Sequence, residues 1–279
     1  MPKSLGECLS CVRTNVPLVH NITNYVTVND VANALLACGG SPIMSDEPLD
    51  VEDITSICGG LNINIGTLNS QSIKAMHLAG KRAKELGHVI LLDPVGAGAS
   101  ALRTNTALEL IDELHPTIVR ANASEIKALA LGSSSTQGVD ANAADVVTEA
   151  NLNEQVEFVA AYARSLQCIV AITGPIDLIS NGTRTYAVAN GRPEMEKITG
   201  TGCQISGIAT AFAVANPDAT LEAVTAAIAL MGVAGDIAWD ALQPGEGNAS
   251  YRNRIIDAIY TLDAQHLDER AKLRVFESV

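Results

Sequence analysis

Six short apolar runs, at 17–19, 42–44, 61–65, 89–92, 117–119 and 168–172, alternate with longer segments patterned as helices, at 26–37, 51–58, 70–86, 105–114, 124–131 and 154–166. Apolar runs without polar alternation are buried on both faces, and strands joined through helix-length connections pair in parallel. This rhythm therefore commits the chain to an α/β fold, a mostly parallel sheet with helices on both faces. Several helical segments stop at a glycine, as at Gly39 and Gly87, the residue that most readily turns left-handed. Asn181-Gly182, between Asp177-Leu178-Ile179 and Thr185-Tyr186-Ala187, predicts a tight hairpin, so the sheet gains antiparallel strands late. Beyond Cys203 the pattern reads as helix throughout, at 204–215, 220–242 and 251–262. The 279 residues, 47% of them hydrophobic, suffice for one large core and are expected to form a single domain over 1–279. The segment 133–145, rich in Ser, Ala, Asn and Gly, reads as a surface loop.

Charge narrows the partners. With 18 Lys plus Arg against 31 Asp plus Glu, the net charge of -13 argues against general attraction to nucleic acid or to an anionic membrane. An anionic ligand must be met locally, by a few cations, backbone N–H groups or a metal. No apolar leader follows Met1-Pro2-Lys3-Ser4 and no uninterrupted run of about 18 apolar residues occurs, so a cytoplasmic protein with reduced thiols is expected. Cys8-Leu9-Ser10-Cys11 has the spacing of half a zinc or redox site, but no second Cys or His pair stands at ligand spacing.

Parallel sheets carry their functional residues at the carboxyl ends of the strands. One run ends in Asp93-Pro94-Val95-Gly96-Ala97-Gly98, which sets a carboxylate before a glycine loop. It suits Mg2+, or else caps the turn before Pro94. Val95 to Ser100 is no dinucleotide fingerprint, since the third glycine is missing and no helix starts promptly. The next run ends in Arg120-Ala121-Asn122-Ala123-Ser124-Glu125. Arg120 suits a phosphate and Glu125 a metal's water shell, while Asn122 with Glu125 also fits a helix capping box. Thr173-Gly174 closes the run 168–172 with a hydroxyl and an accommodating backbone.

Gly200-Thr201-Gly202-Cys203 then opens a small-residue helix. Its backbone N–H groups form an anion nest, and the positive helix end favours a thiolate at Cys203. A phosphoryl group bound beside it would oppose that ionisation, so Cys203 is expected to assist proton removal, with the nest and metal mattering more. Carboxylate, guanidinium, hydroxyl, nest and base together suit phosphoryl transfer to an alcohol. His20-Asn21-Ile22-Thr23-Asn24 places polar groups after the first run, and Met44 offers an apolar ligand face; His20 can equally be a structural histidine. Neither a P-loop nor a Gly-x-Ser-x-Gly elbow is present.

His20-Asn21-Ile22-Thr23-Asn24-Tyr25-Val26, Asp93-Pro94-Val95-Gly96-Ala97-Gly98, Arg120-Ala121-Asn122-Ala123-Ser124-Glu125 and Gly200-Thr201-Gly202-Cys203 together resemble the hydroxyethylthiazole kinases, in order and over almost the whole chain. The resemblance implies a three-layer ribokinase-like fold and Mg-ATP-dependent phosphorylation of the primary alcohol of 4-methyl-5-(2-hydroxyethyl)thiazole, a salvage step towards thiamine. It also implies a homotrimer with active sites between subunits. It assigns Met44 and Gly200, with Asn24 and His20 of the N-terminal motif, to the thiazole. Arg120 and Thr173, with Asn122, fall to ATP, and Asp93 and Glu125 to Mg2+. Gly200, Thr201, Gly202 and Cys203 form the catalytic turn. Cys203 stands where ribokinase-like sugar and pyrimidine kinases generally carry an aspartate base. Another vitamin-precursor kinase or a nucleotide-dependent dehydratase of the same fold, and a ligand sensor without turnover, are the competing readings.

Overall fold

The computed structural model describes residues 2–132 and 146–277; the segment 133–145 expected to be a surface loop lies outside them. Among the described residues nine strands form one sheet: β1 (Leu18–Ile22), β2 (Ser41–Met44), β3 (Gly60–Asn64), β4 (Val89–Asp93), β5 (Ile118–Asn122), β6 (Ile169–Thr173), β7 (Asp177–Ser180), β8 (Arg184–Val188) and β9 (Leu273–Glu277). Their order is β2-β1-β3-β4-β5-β6-β7-β8-β9, parallel from β2 to β6 and antiparallel from there on. The chain leaves β1 for β2 on one side and returns to β3 on the other. The connections therefore diverge above β1 and β3 and open a crevice at their carboxyl ends, where α/β sheets bind ligands.

Alternation along each strand divides the interior into two cores. Leu91, Ile118, Ala171, Ile179 and Val188 face α1 (Leu5–Asn15), α2 (Val28–Cys38), α8 (Thr201–Ala215), α9 (Thr220–Asp240), α10 (Asn248–Thr261) and α11 (Ala264–Arg270). Ile90, Leu92, Val119, Val170 and Leu178 face α3 (Val51–Ile57), α4 (Ser70–Leu86), α5 (Ala101–Leu114), α6 (Ala123–Gly132) and α7 (Leu152–Leu166). The three-layer arrangement expected from the sequence is the one found. The stretch around α9 is long and apolar enough to cross a membrane, but 83% of it is buried inside the fold.

Three readings of the sequence are corrected. The chain after Cys203 is not wholly helical, because β9 closes the sheet against β8. α5 begins at Ala101 and not at 105, since the Ser100 hydroxyl accepts from the Arg103 N–H and caps the earlier turn. α8 begins at Thr201 and not at 204, which puts Cys203 inside its first turn.

Candidate active site

Period-two alternation that sends Leu91, Ile118 and Ala171 towards α8 sends Asp93, Arg120 and Thr173 the same way, two residues further along each strand. In the ladders Asn64 lies opposite Asp93, and Asn122 opposite Thr173. The polar tips of neighbouring strands thus converge on the N-terminus of α8.

Asp93 is fully buried. Its Oδ2 accepts from the Ser206 hydroxyl at 2.7 Å, from Asn64 Nδ2 at 2.8 Å and from Arg120 Nη1 at 3.4 Å. Oδ1 has no partner, and neither has Arg120 Nε, although both atoms are buried. The carboxylate is therefore not spent on capping the Pro94 turn. Burial pushes its pKa up, with Arg120, Ser206 and Asn64 pulling it back. A buried carboxylate oxygen and a buried guanidinium donor left open on two paired residues fit a cation on the first and an anion on the second.

Arg120 Nη2 donates to Thr173 Oγ1. The other side of the guanidinium meets the backbone of α8, where a Cβ at Gly202 would lie 2.8 Å from both Nη atoms. Gly200, at φ +86, is the N-cap, and no side chain caps the helix. The first-turn N–H groups accordingly stay open beside Arg120 and Thr173, as an anion site requires. Arg120, Thr173, Gly174, Thr201 and Gly202 line one end of a cavity of about 390 Å³ that runs on past Asp177 and Asn190. Asp177 was not foreseen. Its Oδ1 accepts from the Gly174 N–H at 2.9 Å, and burial pushes it up to about 7.

Cys203 Sγ, 9% exposed, receives a hydrogen bond from Asn24 Nδ2 at 3.2 Å. The thiolate expected from the helix end is opposed: burial, and then the Asp93 charge, push the thiol up, outweighing the hydrogen bonds of Thr27 and Asn24 and the charge of Arg120. Thr27 also packs on Gly200, where a Cβ would fall 2.3 Å from Thr27 Cγ2. Gly200 is thus required by both its dihedral angle and its neighbour.

Glu125 and Asn122 do form the capping box. Asn122 Oδ1 accepts from the Glu125 N–H, and Glu125 Oε2 from the Asn122 N–H, each at 2.9 Å. Glu125 Oε1 also accepts from the Gly96 N–H at 2.8 Å, which ties the loop after β4 to α6. Arg103, missed in the sequence, holds the same loop from the other side through the carbonyls of Val95, Ile65 and Gly66. Burial raises the Glu125 pKa, and the nearby Asp93 charge adds to the rise. Two buried carboxylates that repel each other, one with an open oxygen, have the donor chemistry a hard cation requires. Among the described residues no cluster of three or more His, Cys, Asp or Glu side chains could hold a metal by itself, so such an ion would need water or a ligand to complete its shell.

His20 is fully buried, and both ring nitrogens are engaged. Nε2 lies 2.9 Å from the Ser45 carbonyl, which only accepts, so Nε2 carries the proton and Nδ1 accepts from Thr55 Oγ1 at 2.9 Å. Burial lowers its pKa and keeps it neutral. Its place is beneath the β2 end, holding Ser45 beside Met44. Met44 is half-exposed on the edge strand and packs against the α8-side core.

The model of the hydroxyethylthiazole kinase family matches residues 9–265. The chain belongs to the hydroxyethylthiazole kinase family. A hydroxyethylthiazole kinase from Clostridium acetobutylicum is 52% identical over 268 residues, spanning 96% of this chain and 98% of that one. The structure of a hydroxyethylthiazole kinase protein from Pyrococcus horikoshii superposes with a TM-score of 0.86 at 35% identity, covering 98% and 99% of the two chains. A ribokinase-like superfamily protein from Enterococcus faecalis matches at a TM-score of 0.61 and 13% identity, over 89% and 87% of the chains, a likeness of fold alone.

Proposed function

We propose that the chain transfers the γ-phosphoryl group of ATP to the primary alcohol of 4-methyl-5-(2-hydroxyethyl)thiazole, giving the thiazole phosphate for thiamine salvage. The observation that carries this reading is the uncapped N-terminus of α8 beside Arg120, facing a buried carboxylate with one open oxygen. The phosphates lie against the first-turn N–H groups, Arg120 and Thr173, with Asn122 at the rim. The nucleoside occupies the rest of the cavity towards Asn190 and Arg192. Asp93 and Glu125 would hold Mg2+, directly or through water, and the bound ion would supply neutralisation of the charge on the transferring group. The hydroxyl sits between Gly200 and Cys203, reached from the crevice that Asn24 and Met44 border. His20 fixes the wall behind it.

Most of the rate comes from positioning and from charge stabilisation by Gly200, Thr201, Gly202 and Arg120. Cys203, raised by its surroundings, assists the departure of the hydroxyl proton. We further propose a homotrimer in the cytoplasm, a neighbouring subunit covering the crevice. Tyr25, Val26 and Leu49, 75%, 61% and 91% exposed beside the β1 and β2 ends, support that cover.

The deciding experiment is ADP release with Mg-ATP and a panel of the hydroxyethylthiazole, a hydroxymethylpyrimidine, pyridoxal and ribose. Thiazole-dependent release that needs Mg2+, with the phosphorylated thiazole identified by mass, is expected. Release with a different alcohol alone sinks the acceptor, and ATP binding without release sinks the reaction.

A further inference from the structure

The α8 face of the sheet carries amides where a core would ordinarily be apolar. Asn62 and Asn64 on β3 and Asn24 above β1 are 0%, 1% and 5% exposed. Burying an amide is costly unless its groups are paired, so the direction of each bond carries information. Asn64 Nδ2 donates to Asp93 Oδ2 at 2.8 Å, while its Oδ1 accepts from Asn24 Nδ2 at 3.0 Å and from the Gly66 N–H at 2.9 Å. Asn24 Nδ2 also donates to Cys203 Sγ at 3.2 Å, and its Oδ1 accepts from the Thr27 N–H at 3.2 Å and the Thr27 hydroxyl at 3.0 Å.

Neither amide can turn over. An ionised carboxylate only accepts, so Asp93 requires the NH2 group of Asn64, and the Gly66 N–H requires its oxygen. The Asn64 oxygen, so fixed, requires the NH2 group of Asn24, whose own oxygen takes the Thr27 hydroxyl and shares the Thr27 N–H with the Asn24 carbonyl. Flipping Asn64 would set oxygen against Asp93 Oδ2 and NH2 against both Asn24 Nδ2 and a backbone donor. The chain of bonds therefore has one polarity, and it delivers an N–H to the sulfur of Cys203.

We infer that Asn64 is a positioning residue for Cys203: with Asn24 it forms a one-way amide relay from Asp93 that holds the cysteine sulfur as a hydrogen-bond acceptor, leaving the S–H or a sulfur lone pair for the acceptor hydroxyl. The catalytic importance of this relay rests on the proposed place of Cys203 beside that hydroxyl; the relay itself does not. Thr27, Asn24, Asp93 and Arg120 are the groups that act on the sulfur. Asn64 reaches it by hydrogen bonds through Asn24, and by charge through the Asp93 carboxylate it bonds.

The test is Asn64→Ala, with Asn64→Ser as the second variant should the first not fold, each made with native Cys203 and with Cys203→Ala. Two quantities are measured: steady-state kinetics, and the pH dependence of Cys203 alkylation by iodoacetamide, followed by mass on the Cys203 peptide without substrates. Loss of Asn64 is expected to lower kcat about tenfold with KM for both substrates little changed, and to lower it less than twofold when Cys203 is already alanine. The alkylation midpoint of Cys203 is expected to move to higher pH as the sulfur loses its donor. Equal losses of kcat in both backgrounds with an unmoved alkylation midpoint would make Asn64 a purely structural amide and overturn the relay. A moved midpoint with unchanged kcat keeps the relay and removes Cys203 from the proposed chemistry. An inactive Cys203→Ala enzyme leaves the midpoint to decide.

Discussion

Gly202 lacks a side chain because the Arg120 guanidinium occupies the place where one would begin. Arg120 is the far end of a flexible chain, but it cannot swing aside freely, being bonded to Asp93 on one side and Thr173 on the other. Gly202→Ala should therefore displace the guanidinium from the helix end while leaving the core intact. KM for ATP is expected to rise about tenfold, with a stability change within about 1 kcal/mol. An unchanged KM, measured by initial rates across ATP concentration, would mean that Arg120 does not meet the phosphates. Asp93, Arg120, Thr173 and the Gly200 turn were legible because each ends an apolar run or starts a helix, a position that can be counted along one stretch of sequence. Asn64, Ser206, Arg103 and Asp177 were not, because what they do depends on which strand lies alongside. Asn64 acquires its meaning only from the register that sets it opposite Asp93. The rise of the Cys203 thiol was not legible for a related reason: the helix end that favours ionisation was visible in the sequence, and the burial and the Asp93 charge that oppose it were not.

At the scale of elements, the strands came within a few residues because each is a continuous apolar run, and the hairpin came from Asn181-Gly182, with Gly182 at φ +92. α1 escaped although Ser4 and Glu7 form a capping box, since its buried face is only Leu5, Gly6, Cys8, Leu9 and Val12 amid polar residues. β9 escaped because Leu273–Glu277 is short and two of its five residues are charged, the composition of an edge strand protected against further pairing. Its pairing with β8 runs over five registered residues, Leu273 opposite Val188 through Glu277 opposite Arg184. Leu273 and Phe276 are half-buried against the two cores. Truncation after Lys272 removes those contacts and exposes the β8 edge, at the opposite end of the sheet from β1. We expect a loss of about 2 kcal/mol, or roughly 4–8 °C in the thermal midpoint, with KM values unchanged. A truncated chain that kept its midpoint, or lost substrate affinity before stability, would contradict this division between edge and site.

For the whole molecule, the acidic surplus of 13 charges makes the buried carboxylates costly as well as useful. Asp93, Glu125 and Asp177 are each raised by burial at the carboxyl rim. A carboxyl whose pKa is higher folded than unfolded keeps its proton in the native state after the unfolded chain has lost it. Stability therefore falls as pH climbs from the unfolded value to the folded one, and levels off above. For Asp177 that window runs from about 4 to about 7. Between pH 5 and pH 8 its ionisation costs on the order of 2–3 kcal/mol, which in a chain of this size is about 5–10 °C. Asp177→Asn keeps an acceptor for the Gly174 N–H and removes the titration. The ligand-free variant should melt above the native protein by a margin about 5–10 °C wider at pH 8 than at pH 5. An equal margin at both pH values, followed by thermal unfolding without nucleotide or Mg2+, would mean that Asp177 is already ionised in the fold. The same sign predicts the effect of the proposed cation: an Mg2+ held by Asp93 and Glu125 would favour their ionised forms, so it should stabilise the protein more at pH 8 than at pH 5, where protons compete for the same oxygens.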